Sequence, residues 1–486
     1  MERGTRHASS TPFTESSCLR RWVLPEHFLP HEDRIHVATV PVRLIDSVKP
    51  HPLDADGHRH PSTVFSLPSR GSADSLSTLL HILHRETSVL LAFRRSSLAL
   101  ALFSLAACTN TDAITAAEAH GTIRMFSVGT GQGVDPSGSG STHELIVRGT
   151  NEVYFVQQKQ ERVGTITTTS RNPQGEVTFR QMPNGSEPHG ITFFNDEPWV
   201  LLEGTSEVVP LGRLSNGITL KPDLSHNPGA EAGPHGVTSS GGLLWYAGKE
   251  GSVFGWVDPV SRRQGSVAAP LVAAGGSSGA QSAKPIWVAP AKNGGAWGTE
   301  LISSKLCRVA VSNAGVTTIE EWTLGDNGVT DYPIGIVDDG AGGAWFTAEG
   351  EPGDPTASGY FGHLTASGQI YTWSVPTAFG RLGGLSLDKA GDLWTEYTTS
   401  LQASPTATIA KVVTSRLPRP SGSAAVKTAA GYRLNILPPG SAVTEIPVPQ
   451  AAGINHFLHR IVVDSSGKHV WFSDIWGDQI GVYYVP

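Results

Sequence analysis

The chain has 486 residues, 55 of them Gly and 33 Pro, with only 16% charged residues and a formal net charge of -7. That composition is rich in turn formers and poor in the Glu, Lys and Arg of surface helices, so it favours a β protein with many tight turns. The acidic balance leaves no basic footprint and excludes nucleic acid as a partner, and three cysteines (Cys18, Cys108, Cys307) exclude a disulfide framework.

Residues 1–88 are rich in His, Ser, Arg and Pro and hold no period of 2 or 3.6. They are expected to be a disordered extension, or to lie upstream of the natural start. Residues 89–108 resemble a signal peptide. Arg94 and Arg95 precede a ten-residue apolar run, Leu98 to Ala107, and small residues follow it. Ten residues are too few for a helix to span a bilayer, which takes about 20. Leu105-Ala106-Ala107-Cys108 resembles a bacterial lipobox, which would make Cys108 a lipidated first residue; an ordinary signal cut nearby is the alternative. Either implies a secreted or extracytoplasmic protein with no transmembrane span.

From residue 121 onward one unit recurs. It opens on a Pro-x-Gly-Ile-like start, reaches a Trp about ten residues later, continues through a Gly-Arg-Leu-like strand and ends on an alternating strand. The copies run Glu187 to Trp199, Gly233 to Trp245, Pro285 to Trp297, Pro333 to Trp345, Leu382 to Trp394 and Leu458 to Trp471, after a weaker first copy, Thr142 to Tyr154. Their starts at 143, 189, 235, 286, 334, 383 and 459 give spacings of 46, 46, 51, 48, 49 and 76. The long last spacing marks an insertion at about 400–440, expected to be a surface loop. Four short strands in a unit of this length is the pattern of a propeller blade. The fold class expected is therefore all-β, a seven-bladed β-propeller over 121–486. The recurring Trp would pack where blades meet. The seventh unit lacks an outer strand, and Gly121–Gly129 before the first unit can supply it, closing the ring.

The residue after the Pro should lie at the mouth of the central channel. Round the ring it reads His143, His189, His235, Ile286, Ile334, Gly383 and His459. Four histidines thus fall on consecutive blades, which packing alone does not require. Carboxylates join them. Glu187 lies two before His189, on the same side if the strand is extended, and Glu203 lies fourteen after His189. Glu300 and Asp474 hold similar places in other blades, where hydrogen bonding between blades is the simpler role. Imidazole and carboxylate together suit a divalent metal or a general base with an orienting partner.

The units resemble those of the streptogramin B lyase (virginiamycin B lyase) family, a seven-bladed propeller, over residues 121–486. The sharpest match is Glu187-Pro188-His189-Gly190-Ile191 followed by Glu203. The resemblance implies His189 and His143 as site residues. Where the family has a Tyr in Gly-Pro-Tyr-Gly-Ile, this chain has His235, and the difference bears on the substrate. The resemblance further implies opening of a cyclic depsipeptide by β-elimination assisted by Mg2+, with His189 and His143 as catalytic residues; His235 is expected as a third, and Glu187 and Glu203 could hold the Mg2+ (or Ca2+). His459 and Arg381 would contact substrate. Base and acid stay unassigned among coupled histidines. A uronate-containing glycan cleaved by the same chemistry is the alternative substrate, with Arg381 as the carboxylate fork. A non-enzymatic binding platform is the third reading. A monomer is expected.

Overall fold

The computed structural model describes residues 120–129, 141–169, 175–273, 280–324, 331–350, 359–377, 380–399, 406–418, 427–428, 431–432, 435–437, 440–450 and 456–486. The expected extension at 1–88 and the leader at 89–108, with Cys18 and Cys108, lie outside them. The described residues form a seven-bladed β-propeller, each blade built on a four-stranded antiparallel sheet. Their inner strands, blades 1 to 7, are Thr142–Arg148, Pro188–Phe194, Pro234–Ser240, Pro285–Pro290, Pro333–Asp338, Arg381–Leu387 and Leu458–Val463. Each packs against the inner strands on either side, and that of blade 7 packs against that of blade 1. Among the described residues the only helical turns are Leu214–Asn216 and Thr414–Arg416, and no helix is long and apolar enough to cross a membrane.

The repeat's Trp is core, as its size and spacing require. Trp199, Trp245, Trp297, Trp345, Trp394 and Trp471 are 1–8% exposed, and Tyr154 takes the place in blade 1. Trp199 shows the packing: it sits in one cluster with Val237, Leu244 and Tyr246 of the next blade. The residue after the Trp explains the Gly of the third strand. Phe155, Tyr246, Phe346 and Phe472 lie opposite Gly164, Gly255, Gly362 and Gly481. A Cβ on any of those glycines would stand 2.0–2.3 Å from the facing ring. The aromatic therefore fixes the glycine.

Blade 7 takes its outer strand from the N-terminal side. Ile123–Ser127 pairs antiparallel with Gln479–Tyr484, from Ile123 opposite Tyr483 to Ser127 opposite Gln479. Phe126 stacks on Trp471 with ring centroids 5.8 Å apart.

The range 400–440 is more than a surface loop. Ala407–Val412 within it is the third strand of blade 6, and Val443–Pro447 beyond it is the fourth. Between them Asn435–Ile436 pairs in parallel with Trp373–Ser374, adding a fifth strand to blade 5. Leu417 and Leu437 are buried beside Trp373 and Tyr397, and the Trp373 indole donates to the Pro418 carbonyl at 3.0 Å. Apolar residues in a Ser, Ala and Pro background tie the insertion to the seam between blades 5 and 6.

Candidate functional site on the propeller axis

The site begins with a backbone irregularity. In every blade the register between the first two strands shifts at the residue after the Pro-like start: around His143, His189, His235, Ile286, Ile334, Gly383 and His459. A bulge at this place redirects a side chain out of the regular alternation. The residue before the Pro has positive φ in four blades: Glu187 (46°), Gly233 (53°), Lys284 (56°) and Tyr332 (51°). The following Gly lets neighbouring inner strands meet. A Cβ on Gly190 would lie 2.7 Å from the His235 carbonyl oxygen, and one on Gly236 2.5 Å from that of Ile286.

Seven bulges in a ring bring the four imidazoles together. Ring centroids of His143 and His189 are 4.7 Å apart, those of His189 and His235 3.7 Å, and those of His143 and His459 5.5 Å. His189 is 2% exposed. Burial holds the pKa of all four rings below the ordinary imidazole value of 6.5, and nearby positive groups push the same way. For His459 the value falls to about 4. The rings are neutral at pH 7.

Among the described residues, one of the four rings has a hydrogen bond that fixes its tautomer. His235 Nδ1 faces the Ile286 carbonyl at 3.0 Å. A carbonyl only accepts, so Nδ1 carries the proton and Nε2 keeps a lone pair. His143 Nδ1, His189 Nδ1 and His459 Nε2 are buried without a hydrogen-bond partner among the described residues.

Glu203 stands on the same face. The Lys249 ammonium contacts Glu203 Oε1 at 2.5 Å, and Gln158 Nε2 donates to Oε2 at 3.1 Å. Gln158, Glu203 and Lys249 hold equivalent places in blades 1, 2 and 3, each four past the Tyr or Trp. Two groups have one ligand atom per residue within 4.8 Å of one another: His143, His189 and His459; and His189, Glu203 and His235. Among the described residues no such group includes Glu187. Its positive φ breaks the extended strand that would have aimed it with His189. Burial, then the charge of Glu203, raises its pKa.

Arg381 opens the inner strand of blade 6 at the place Glu187 holds in blade 2. Its charge partly offsets the burial that raises the pKa of Glu349, and no hydrogen bond or ion pair among the described residues joins it to the histidines. Glu300 is fully buried, accepts from Ser303 Oγ at 2.5 Å and is pushed up to about 8 by burial. Asp474 accepts from the backbone N–H of Phe457 and Gly477 and contacts His456 Nδ1 at 2.5 Å.

Three residues that sequence reading passed over close the axis. Glu144, Trp287 and Arg460 follow the ring position where Pro-x-Gly units carry Gly. The Arg460 guanidinium lies 3.9 Å over the Trp287 ring, a contact from blade 7 to blade 4 across the axis. Glu144 holds Arg460 at 3.3 Å and comes within 3.6 Å of His459 Nε2. The signal was a missing glycine, which registers only once the repeats are aligned at that column.

No family model matches the chain, and no curated protein sequence matches it. Solved structures do. A streptogramin B lyase aligns with a TM-score of 0.51 at 16% identity, over 74% of this chain and 96% of that one. A selenomethionine-substituted virginiamycin B lyase from Staphylococcus aureus aligns with a TM-score of 0.51 at 18% identity, over 75% and 99%. A catalytically inactive histidine-to-alanine variant of that enzyme with quinupristin gives 0.50 at 18% identity, over 75% and 100%. At these identities the likeness establishes the fold: this chain is a seven-bladed β-propeller similar to the streptogramin B lyases.

Proposed function

We propose that the protein is a carbon–oxygen lyase that opens an ester-containing cyclic depsipeptide by β-elimination, with His235 as the general base. The observation that carries this reading is the fixed tautomer of His235 inside a cluster of neutral imidazoles. Its Nε2 lone pair takes the proton α to a carbonyl. The C–H electrons form the new double bond, the β C–O bond breaks, and the leaving oxygen collects a proton. Negative charge gathers on the carbonyl oxygen meanwhile. Lys249, whose charge is felt by His143, His189 and His235, offers a cation there. Arg460 over Trp287 spans the axis from blade 7 to blade 4 beside the imidazoles. The leader-like segment before residue 109 accords with work outside the cytoplasm.

Of the two carboxylates expected to hold Mg2+, Glu203 is already engaged. Mg2+ wants oxygen ligands in octahedral order. Both Glu203 oxygens are engaged, one of them by an ammonium, and the donors closest to Glu203 are imidazole nitrogens. No step is therefore routed through Mg2+. The neighbours named for streptogramin B and virginiamycin B lyase support the substrate class, as does the inactive histidine variant seen with quinupristin.

The full chain is to be offered a streptogramin B and, separately, a glucuronate-bearing polysaccharide. Absorbance of the new conjugated double bond and product mass are followed. The antibiotic should open without gaining the mass of water, and His235→Ala should lose about a hundredfold or more in rate. A product heavier by one water overturns elimination. A wild-type rate in His235→Ala overturns the base, activity on the polysaccharide alone overturns the substrate, and no product from either overturns the lyase reading.

A further inference from the structure

We propose that His143, His189 and His459 form a three-imidazole site for a borderline divalent transition metal of the Zn2+ class. One ring nitrogen from each lies within 4.8 Å of the other two. The three residues sit on bulges of adjacent inner strands, in blades 1, 2 and 7, so rigid backbone rather than loop sets their spacing. Ligands held this way need little reorganisation to close on an ion.

The second observation is unmet hydrogen-bonding capacity. Each of the three rings has a buried nitrogen with no hydrogen-bond partner among the described residues. An orphaned buried polar atom costs about 1–3 kcal/mol and calls for an explanation. Three in one cluster share one explanation if the rings serve an ion. The rings are also neutral, so no proton has to be displaced on binding.

The donor set selects the ion. Three imidazoles suit Zn2+, Co2+, Ni2+ or Cu2+ and are poor for Mg2+ or Ca2+. Three protein ligands with a fourth position left for water or substrate is the catalytic rather than the structural zinc pattern. The rival group of His189, Glu203 and His235 is weaker because its one carboxylate is already paired with Lys249.

The site goes beyond the elimination reading, because His235 is not one of its ligands and binding needs no substrate. The test uses the full chain, with Co2+ as a spectroscopic probe in excess Mg2+ and Zn2+ as competitor. The chain has 18 histidines, so the signal read is the difference between wild type and variants. Wild type should show the visible bands of a nitrogen-ligated Co2+, removed by one equivalent of Zn2+. His143→Ala and His459→Ala should each weaken this binding at least tenfold, and Glu203→Gln should keep it. In wild type itself, Zn2+ but not Mg2+ should raise the thermal unfolding midpoint; this arm depends on no variant folding. Bands that survive His459→Ala but vanish in Glu203→Gln overturn the ligand assignment. A wild type with neither bands nor a Zn2+-dependent shift overturns the site. Elimination by a protein that binds no Co2+, or Co2+ binding by a protein that eliminates nothing, separates the fate of this inference from that of the lyase reading.

Discussion

Single residues on the axis carry opposite pH signatures. Glu396 is fully buried, and burial pushes its pKa from the ordinary 4.5 up to about 8, against the pull of the Gly384 N–H and Arg460. The folded chain therefore holds a proton there that the unfolded chain releases. That contribution is present in full below about pH 4.5 and is lost as pH rises through 8. The histidines act the other way. Their folded pKa values lie below 6.5, so the unfolded chain binds protons first and stability falls as pH drops below 6.5, for His459 down through about 4. Between about pH 7.5 and 8, a unit or more above the ordinary imidazole value, the imidazoles contribute little slope. Thermal unfolding midpoints across that window should fall with rising pH in wild type. The fall should be shallower in Glu396→Gln, with a remainder from Glu300, also raised to about 8. An unchanged slope in Glu396→Gln would show that Glu396 ionises freely in the folded state.

At the level of the strand, the bulge and its glycine form one device. The Ile286 carbonyl accepts from His235 Nδ1 and is also the wall a Cβ on Gly236 would strike at 2.5 Å, with Trp287 Cα at 3.1 Å. Both are backbone atoms and cannot rotate away. Gly236→Ala should therefore cost about 1–3 kcal/mol of stability, as overpacking does. By pushing the carbonyl away it should also lower the elimination rate. Urea unfolding and the elimination assay read the two effects. Wild-type values in both would mean that the inner strands have slack at this contact.

Over the whole molecule, the outer strand of blade 7 comes from far away in sequence. Ile123–Ser127 completes blade 7, and Phe126 is 6% exposed in a cluster with Trp471, Ile480 and Val482. A Phe→Ala change in a packed core costs about 3–5 kcal/mol. Phe126→Ala should lower the unfolding midpoint on that scale, because it loosens the packing of Ile123–Ser127 on blade 7. A midpoint equal to wild type would mean that blade 7 does not rely on this strand. The contact of Arg460 with Trp287 is likewise a whole-molecule feature, since it joins blades 7 and 4 across the axis.

The sequence by itself determined the repeat, because a blade is a local unit whose Trp, Gly and Pro recur at fixed offsets. It also determined the column that carries His143, His189, His235 and His459, since one position of a repeated unit must occupy one place in a ring. It did not determine where Glu187 points. Period-two alternation holds only in an extended strand, and a positive φ interrupts it at that residue. Nor could it pair Glu203 with Lys249, or bring Glu144, Trp287 and Arg460 together, since those partners lie 46, 143 and 316 residues apart along the chain from Glu203 to Lys249, from Glu144 to Trp287 and from Glu144 to Arg460. Contacts of that kind exist only when seven blades close into a ring. Closure also decided the chemistry of the site: it gathered four partly or fully buried imidazoles, with neighbouring ring centroids 3.7–5.5 Å apart, and pushed their pKa values down.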